Sequence, residues 1–222
     1  MSALATTLQA FFTDRLIRQR RVSPNTVQSY RDTLRLLLVF ASERHGKPPG
    51  KLEFDDLDAP LIGAFLGHLE SDRKNSVRTR NARLAAIRSL FRYAALRHPE
   101  HAATMERVLA IPPKRFERRL VTWLTEAEID ALLAAPDRTT WTGRRDTALF
   151  GLVAQTGLRA SELIGLTCAD VHLGAGAHVS CTGKGRKQRI TPLTSGTKAA
   201  LRAWLAERAG QPADPLFPTR TG

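Results

Sequence analysis

The chain has 222 residues, room for one larger domain or two of about 100 residues each, and its 42% hydrophobic and 25% charged residues supply enough apolar material for a packed core. Its net charge is +13, from 34 Lys and Arg against 21 Asp and Glu, a field whose commonest partner is nucleic acid, with a basic ribosomal-type or membrane-surface protein as the competing class. No run approaches the roughly 20 apolar residues of a bilayer span, residues 1–14 lack the pattern of a signal peptide, and Cys168 and Cys181 lack metal-ligand spacing. A cytoplasmic protein with reduced thiols, rather than a single disulfide, is expected.

Residues 4–20 open the chain as a helix. Ser23-Pro24 then supplies an N-cap followed by proline at the first helical position. Val27, Tyr30, Leu34, Leu37, Leu38 and Ala41 recur on one face until His45-Gly46 stops the run. After a Gly/Pro loop over 46–50, the spacing predicts helices over 61–69 and 76–98, the second closed by Pro99. Four helices with short connections predict a compact bundle over residues 1–110. Residues 111–120, with IPPKRFERR at 111–119, show no periodicity and read as an interdomain linker. Beyond it Thr125 and Glu128 make a capping box for a helix to about Ala135. Residues 146–155 read as a buried helix ending at Thr156-Gly157, and 161–166 as another. The period then changes: 178–182 and 188–192 read as two strands around the turn 183–187, before a helix over 195–208. The fold class is mainly α with a small antiparallel β-sheet, a helical bundle followed by an α+β domain over 121–222.

The charge is uneven. Residues 1–115 carry 20 basic and 11 acidic side chains, residues 116–222 carry 14 and 10, and Arg73 to Arg97 holds eight Lys or Arg and no acid. On the helix predicted over 76–98, Leu84, Ile87, Leu90, Phe91 and Ala94 share an apolar face. Arg78, Asn81, Arg88 and Arg92 form a separate stripe, and Arg83 lies at the edge of the apolar face. Cations aligned along one helix can meet successive phosphates, and Asn can read an adenine edge. A solvated basic face with no ligand is the plain alternative; the absence of any acid across this segment favours DNA contact.

Thr156-Gly157-Leu158-Arg159-Ala160-Ser161-Glu162-Leu163 places an arginine at a turn between two helices, by itself a common surface arrangement. Here Arg145-Asp146 precedes it, Leu166-Thr167-Cys168-Ala169-Asp170-Val171 follows, and Gly183-Lys184-Gly185-Arg186-Lys187-Gln188-Arg189 begins 24 residues after the arginine. In this order the motifs resemble those of the tyrosine recombinases, the family of phage integrases and Xer-type recombinases. Ser23-Pro24-Asn25-Thr26-Val27-Gln28-Ser29-Tyr30 is similar to the opening of that family's core-binding helix, and residues 81–91 to its basic helix. The resemblance covers nearly the whole chain.

The resemblance implies a SAM-like helical domain over 1–110 and part of an α+β integrase catalytic domain over 121–222, closing on duplex DNA as a clamp. It implies strand cleavage by a tyrosine that attacks a phosphodiester, leaving a 3′-phosphotyrosyl bond and a free 5′-hydroxyl, with no metal and no cofactor. Arg159 would bind the non-bridging oxygens, where negative charge grows in the transition state. Lys184 would protonate the departing 5′-oxygen as general acid, and Glu162 would orient Arg159. Lys187 and Arg189 would hold phosphates along the hairpin. In the first domain Thr26, Arg78, Arg80 and Asn81, with Arg83, Arg88 and Arg92, would contact DNA. The implied partners are double-stranded DNA and further copies of the chain, as a dimer or tetramer, with no membrane.

In the family the hairpin is followed by a His-x-x-Arg helix and then by the nucleophile. No histidine or tyrosine follows Leu193, and Tyr30 and Tyr93 fall in the N-terminal helices, where they read as packing residues. His172 and His178 match no catalytic position of the family and read as structural. The expectation is a chain truncated within the catalytic domain, poorly ordered near its end, that binds DNA and does not cleave it alone. A non-catalytic DNA-binding regulator or decoy of an intact recombinase is the alternative.

Overall fold

The computed structural model describes residues 2–117, 122–183 and 187–219. The chain divides into two compact units, Met1–Arg119 and Leu120–Gly222, each around its own apolar core. The whole is mostly helical with one small antiparallel sheet, and among the described residues no helix is long and apolar enough to cross a membrane.

The first unit opens with α1 (Ala3–Ala10), capped by Ser2, whose hydroxyl accepts the Ala5 N–H. The helix then widens into a π-helical segment, Phe11–Gln19, where one continuous α-helix was expected. Phe11 and Leu16 explain the widening. They lie five residues apart, the repeat that π-winding brings onto one face, and both are 0% exposed. The second helix, α2 (Pro24–His45), follows its sequence signals closely: Ser23 accepts the Thr26 N–H, and Gly46, at φ 62°, ends it.

The loop expected after Gly46 leads into two short 3₁₀ turns, Pro49–Lys51 and Phe54–Leu57, around which Leu52, Phe54 and Leu57 enter the core. Helix α3 (Ala59–Ser71) starts from the Asp58 cap, and α4 (Val77–Ala95) from the Ser76 cap. The bundle holds one more helix than the four expected, α5 (Ala102–Ala110). Its nine residues bury only Met105 and Val108, too short a repeat to stand out against the chain.

In the second unit α6 (Glu126–Ala134) carries the predicted capping box. Helix α7 (Trp141–Thr156) starts five residues before the expected point because Thr140 caps it. After α8 (Ala160–Ile164) comes a three-stranded sheet, β1 (Val171–His172), β2 (His178–Thr182) and β3 (Gln188–Pro192), antiparallel in the order β1-β2-β3. The two-residue β1 was not foreseen. It sets His172 across from His178, with the rings stacked at 4.4 Å. Helix α9 (Ser195–Arg208) packs on α7, where Trp204 meets Trp141 edge-on at 5.2 Å.

The described part of the segment after α9 packs against this unit. Leu216 is 0% exposed, its N–H bonds the Leu166 carbonyl at 2.8 Å, and its own carbonyl accepts the Trp204 indole N–H at 2.9 Å.

Candidate functional site

The first candidate centre lies where α7 turns into α8. Gly157 ends α7 at φ 59°, a conformation that costs a side chain strain and glycine nothing. Leu158 then drops into the core at 4% exposure, and Arg159, in extended backbone, becomes the residue preceding α8. Three residues on, Glu162 is buried, with its side chain 5% exposed.

That carboxylate is shared. Oε1 accepts Arg159 Nη1 at 2.9 Å, while Oε2 accepts the Arg159 backbone N–H at 2.9 Å and Nη2 of Arg189 at 3.1 Å. Arg189 arrives from β3, 27 residues along the chain. The Arg159 N–H bond holds the Glu162 carboxyl below the usual carboxylate range, against the opposing effect of burial; the Arg159 and Arg189 guanidiniums pull the same way. A buried carboxylate needs such pairing to stay ionised. The Arg159 and Arg189 side chains remain 66% and 43% exposed, so donors not given to Glu162 can meet an arriving oxyanion.

The root of the hairpin presses on the same carboxylate. A Cβ on Gly183 would stand 2.8 Å from Glu162 Oε1, closer than side-chain atoms tolerate. Glycine therefore lets the end of β2 pass against Glu162. The Gly183 N–H donates to the Lys187 carbonyl at 2.8 Å, closing the hairpin. Lys187 is exposed, and Lys184, expected at the hairpin tip, lies outside the described residues. The structure thus brings together Arg159, Glu162 and Arg189. Sequence reasoning placed Glu162 on Arg159 but missed that Arg189 shares it; the i,i+3 spacing signals the first contact, and nothing local signals the second.

The second candidate surface is α4. Arg78 and Arg92 are exposed, and Arg83 and Arg88 are half-buried, each with one guanidinium nitrogen that is buried without a hydrogen-bond partner. Burial first, and the charge of Arg73 second, pull the Arg83 guanidinium below the usual arginine range. Arg83 shares a groove between α2 and α4 with Asn25, Gln28, Asp32 and Thr79. Thr26 stands at the start of α2, its hydroxyl 3.0 Å from that of Ser23.

Arg80 and Asn81, expected on DNA, have partners within the first unit. Arg80 is 7% exposed and donates to the Pro112 carbonyl at 3.3 Å and to Asn81 Oδ1 at 3.1 Å. Asn81 Nδ2 donates to the Lys114 carbonyl at 2.7 Å, and its Oδ1 accepts the Lys114 N–H at 3.0 Å. Lys114 Nζ in turn reaches Glu70 at 2.8 Å. These side chains fasten the expected linker, of which 111–117 are described, to the bundle. For Arg80 the sequence held the signal: it continues the spacing of Leu84, Ile87 and Phe91 on the core-facing side.

The profile of the phage integrase family matches residues 122–222, and that of the phage integrase N-terminal SAM-like domain matches residues 9–98. The protein y4rC of Sinorhizobium fredii, named as an integrase/recombinase, is 55% identical over 221 residues, which is 100% of this chain and 67% of the relative. Tyrosine recombinase XerC of Rhodospirillum centenum is 36% identical over 204 residues, 90% of this chain and 58% of the relative. A crystal structure of a lambda integrase dimer bound to a COC′ core site shares the fold at a TM-score of 0.67 and 18% identity, over 98% of this chain and 74% of that one. This chain belongs to the phage integrase family, the tyrosine recombinases.

Proposed function

We propose that these residues bind double-stranded DNA and present the cationic part of a strand-transfer site used in site-specific recombination and integration. The observation that carries this reading is the buried Glu162 carboxylate holding Arg159 and Arg189 while both arginine side chains stay exposed. Two guanidiniums fixed on one anchor suit a single phosphodiester, because the transition state gathers charge on its non-bridging oxygens and fixed donors need no reorganisation to meet it. Lys184, which follows Gly183 directly, is the general acid for the departing 5′-oxygen in this reading, by likeness to the family. The exposed cations of α4 hold the flanking backbone, and Lys187 adds a phosphate contact at the hairpin. A second copy on the same duplex belongs to the reading, as in the lambda integrase dimer on its core site.

The strand-cleaving nucleophile is not among these 222 residues in this reading. Tyr93 is 6% exposed under the Arg97 guanidinium, and Tyr30 stacks on Phe11 at 6.3 Å; both pack in or against the core of the first unit. Incubation with duplex DNA, followed by native and denaturing gels, tests both parts. We expect retarded DNA in the native gel and no protein-linked strand in the denaturing one. Absence of retardation removes the DNA-binding reading, and a covalent adduct removes the assignment of both tyrosines to packing.

A further inference from the structure

The two cysteines occupy unlike places in the second unit, and neither takes part in the function proposed above. Cys181, on β2, is 7% exposed and belongs to the apolar core with Val179 and Leu201, where a thiol acts as a small hydrophobe. Cys168 lies in the 3₁₀ turn Cys168–Asp170 and is half-buried, with its thiol free. The segment that follows α9 runs beside it. The Cys168 N–H donates to the Asp214 carbonyl at 3.0 Å, and the Ala169 N–H to the Pro212 carbonyl at 2.9 Å. We propose that Cys168 is a site of oxidation by hydroperoxides, and that Arg208 holds the sulfenate formed there.

Gly210 shows how close the two groups are. A Cβ added there would stand 3.2 Å from the Cys168 sulfur and would overlap Arg208 Nη1. Sulfur and guanidinium therefore border one small space, which glycine leaves open. The Arg208 side chain is only 9% exposed, a depth that arginine seldom accepts without a close partner. It has none. Its Nε is buried with no hydrogen-bond partner, and its ion pair among the described residues, from Nη1 to Asp214, spans 3.7 Å, beyond hydrogen-bonding distance. The Asp214 oxygen in that pair already accepts the Gln211 N–H at 2.8 Å. A buried guanidinium with unmet donors is costly. An oxyanion on the neighbouring sulfur would give Nη1 an acceptor and a charge-assisted hydrogen bond.

With hydrogen peroxide as the oxidant, the Cys168 sulfur attacks one peroxide oxygen. The S–O bond forms as the O–O bond breaks, and the departing hydroxide takes up the thiol proton to leave as water. The sulfur is oxidised by two electrons and the peroxide is reduced by two. The sulfenic acid then gives up its proton to solvent, and the sulfenate oxygen accepts from Arg208. Exposure selects Cys168 over Cys181, since oxidation follows access to the thiol, and other thiols return a sulfenic acid to the reduced state through a disulfide. None of this depends on DNA binding.

The test uses the full, reduced chain. It is treated with hydrogen peroxide, then with dimedone, which labels sulfenic acids, and the two cysteine peptides are compared by mass spectrometry. We expect label on Cys168 to exceed that on Cys181 by about tenfold. Adding dimedone after increasing delays gives the lifetime of the sulfenic acid. Arg208→Met should shorten it by roughly tenfold, as the loss of a charge-assisted hydrogen bond implies, and Arg208→Lys, which keeps a cation, should recover part of it. Circular dichroism shows whether Arg208→Met folds. If it does not, Asp214→Asn decides: it removes the competing carboxylate at a half-exposed position and should lengthen the lifetime. Equal label on the two cysteines, no label on either, or a Cys168–Cys181 disulfide in place of the label overturns the site. A lifetime unchanged in a folded Arg208→Met, or one not lengthened in Asp214→Asn, overturns the role of Arg208.

Discussion

Glu162 is the residue on which the second unit's chemistry turns. Its carboxyl titrates below the ordinary range in the folded chain, chiefly because it accepts the Arg159 N–H. A group whose folded pKa is depressed adds stability above its unfolded pKa, near 4.3, and loses it as pH falls through the folded value. The thermal stability of the wild-type chain should therefore exceed that of Glu162→Gln by a constant margin above about pH 5, and the margin should shrink below about pH 4. Melting curves across that range check it; a margin independent of pH contradicts the ion-pair role. How far the sequence shows this site follows from distance along the chain. Arg159 and Glu162 are one helical turn apart, so their pairing could be read from spacing. Arg189 meets the same carboxylate only because β3 crosses back towards α8, and Gly183 could be read as a turn residue but not as the one that makes room for Glu162.

At the scale of elements, α4 has different tasks on different sides, and its composition hides the boundaries between them. The apolar side buries Leu84, Ile87, Leu90 and Phe91; the side carrying Arg80 and Asn81 fastens residues 112–114; the rest shows cations to solvent. Asn81→Ala removes both hydrogen bonds to the Lys114 backbone and should destabilise the first unit by about 1–3 kcal/mol, measurable by denaturant titration. Its effect on duplex binding should leave the salt slope unchanged, since no phosphate contact is lost. Arg88→Ala and Arg92→Ala should instead weaken binding across many sequences and flatten the slope by about 1 each, whereas Arg159→Ala should do less, its role lying at one phosphate. Elements with strong end signals were plain in the sequence, as at Ser23-Pro24, Thr125 with Glu128, and Gly157. Helix α5 and strand β1 were not, because nine and two residues offer too few repeats, and the π-winding at Phe11–Gln19 has a period that helical spacing rules do not sample.

For the whole molecule, the order of motifs along the chain pointed to the family, since a TGLR run followed by a GKG run resembles its pattern, and matches over residues 9–98 and 122–222 bear it out. The excess of positive charge, +13 overall and concentrated before residue 116, joins the two units in one account: each offers exposed arginines, and the ligand we propose for both is a sugar–phosphate backbone. Fluorescence anisotropy of a labelled duplex, titrated with the full chain as salt rises from about 50 to about 200 mM, measures that ligand directly. With one phosphate contact each from Arg78, Arg83, Arg88 and Arg92, the four α4 arginines expected on DNA, affinity should fall on the order of 100-fold over this range. Affinity that hardly changes with salt would contradict the account.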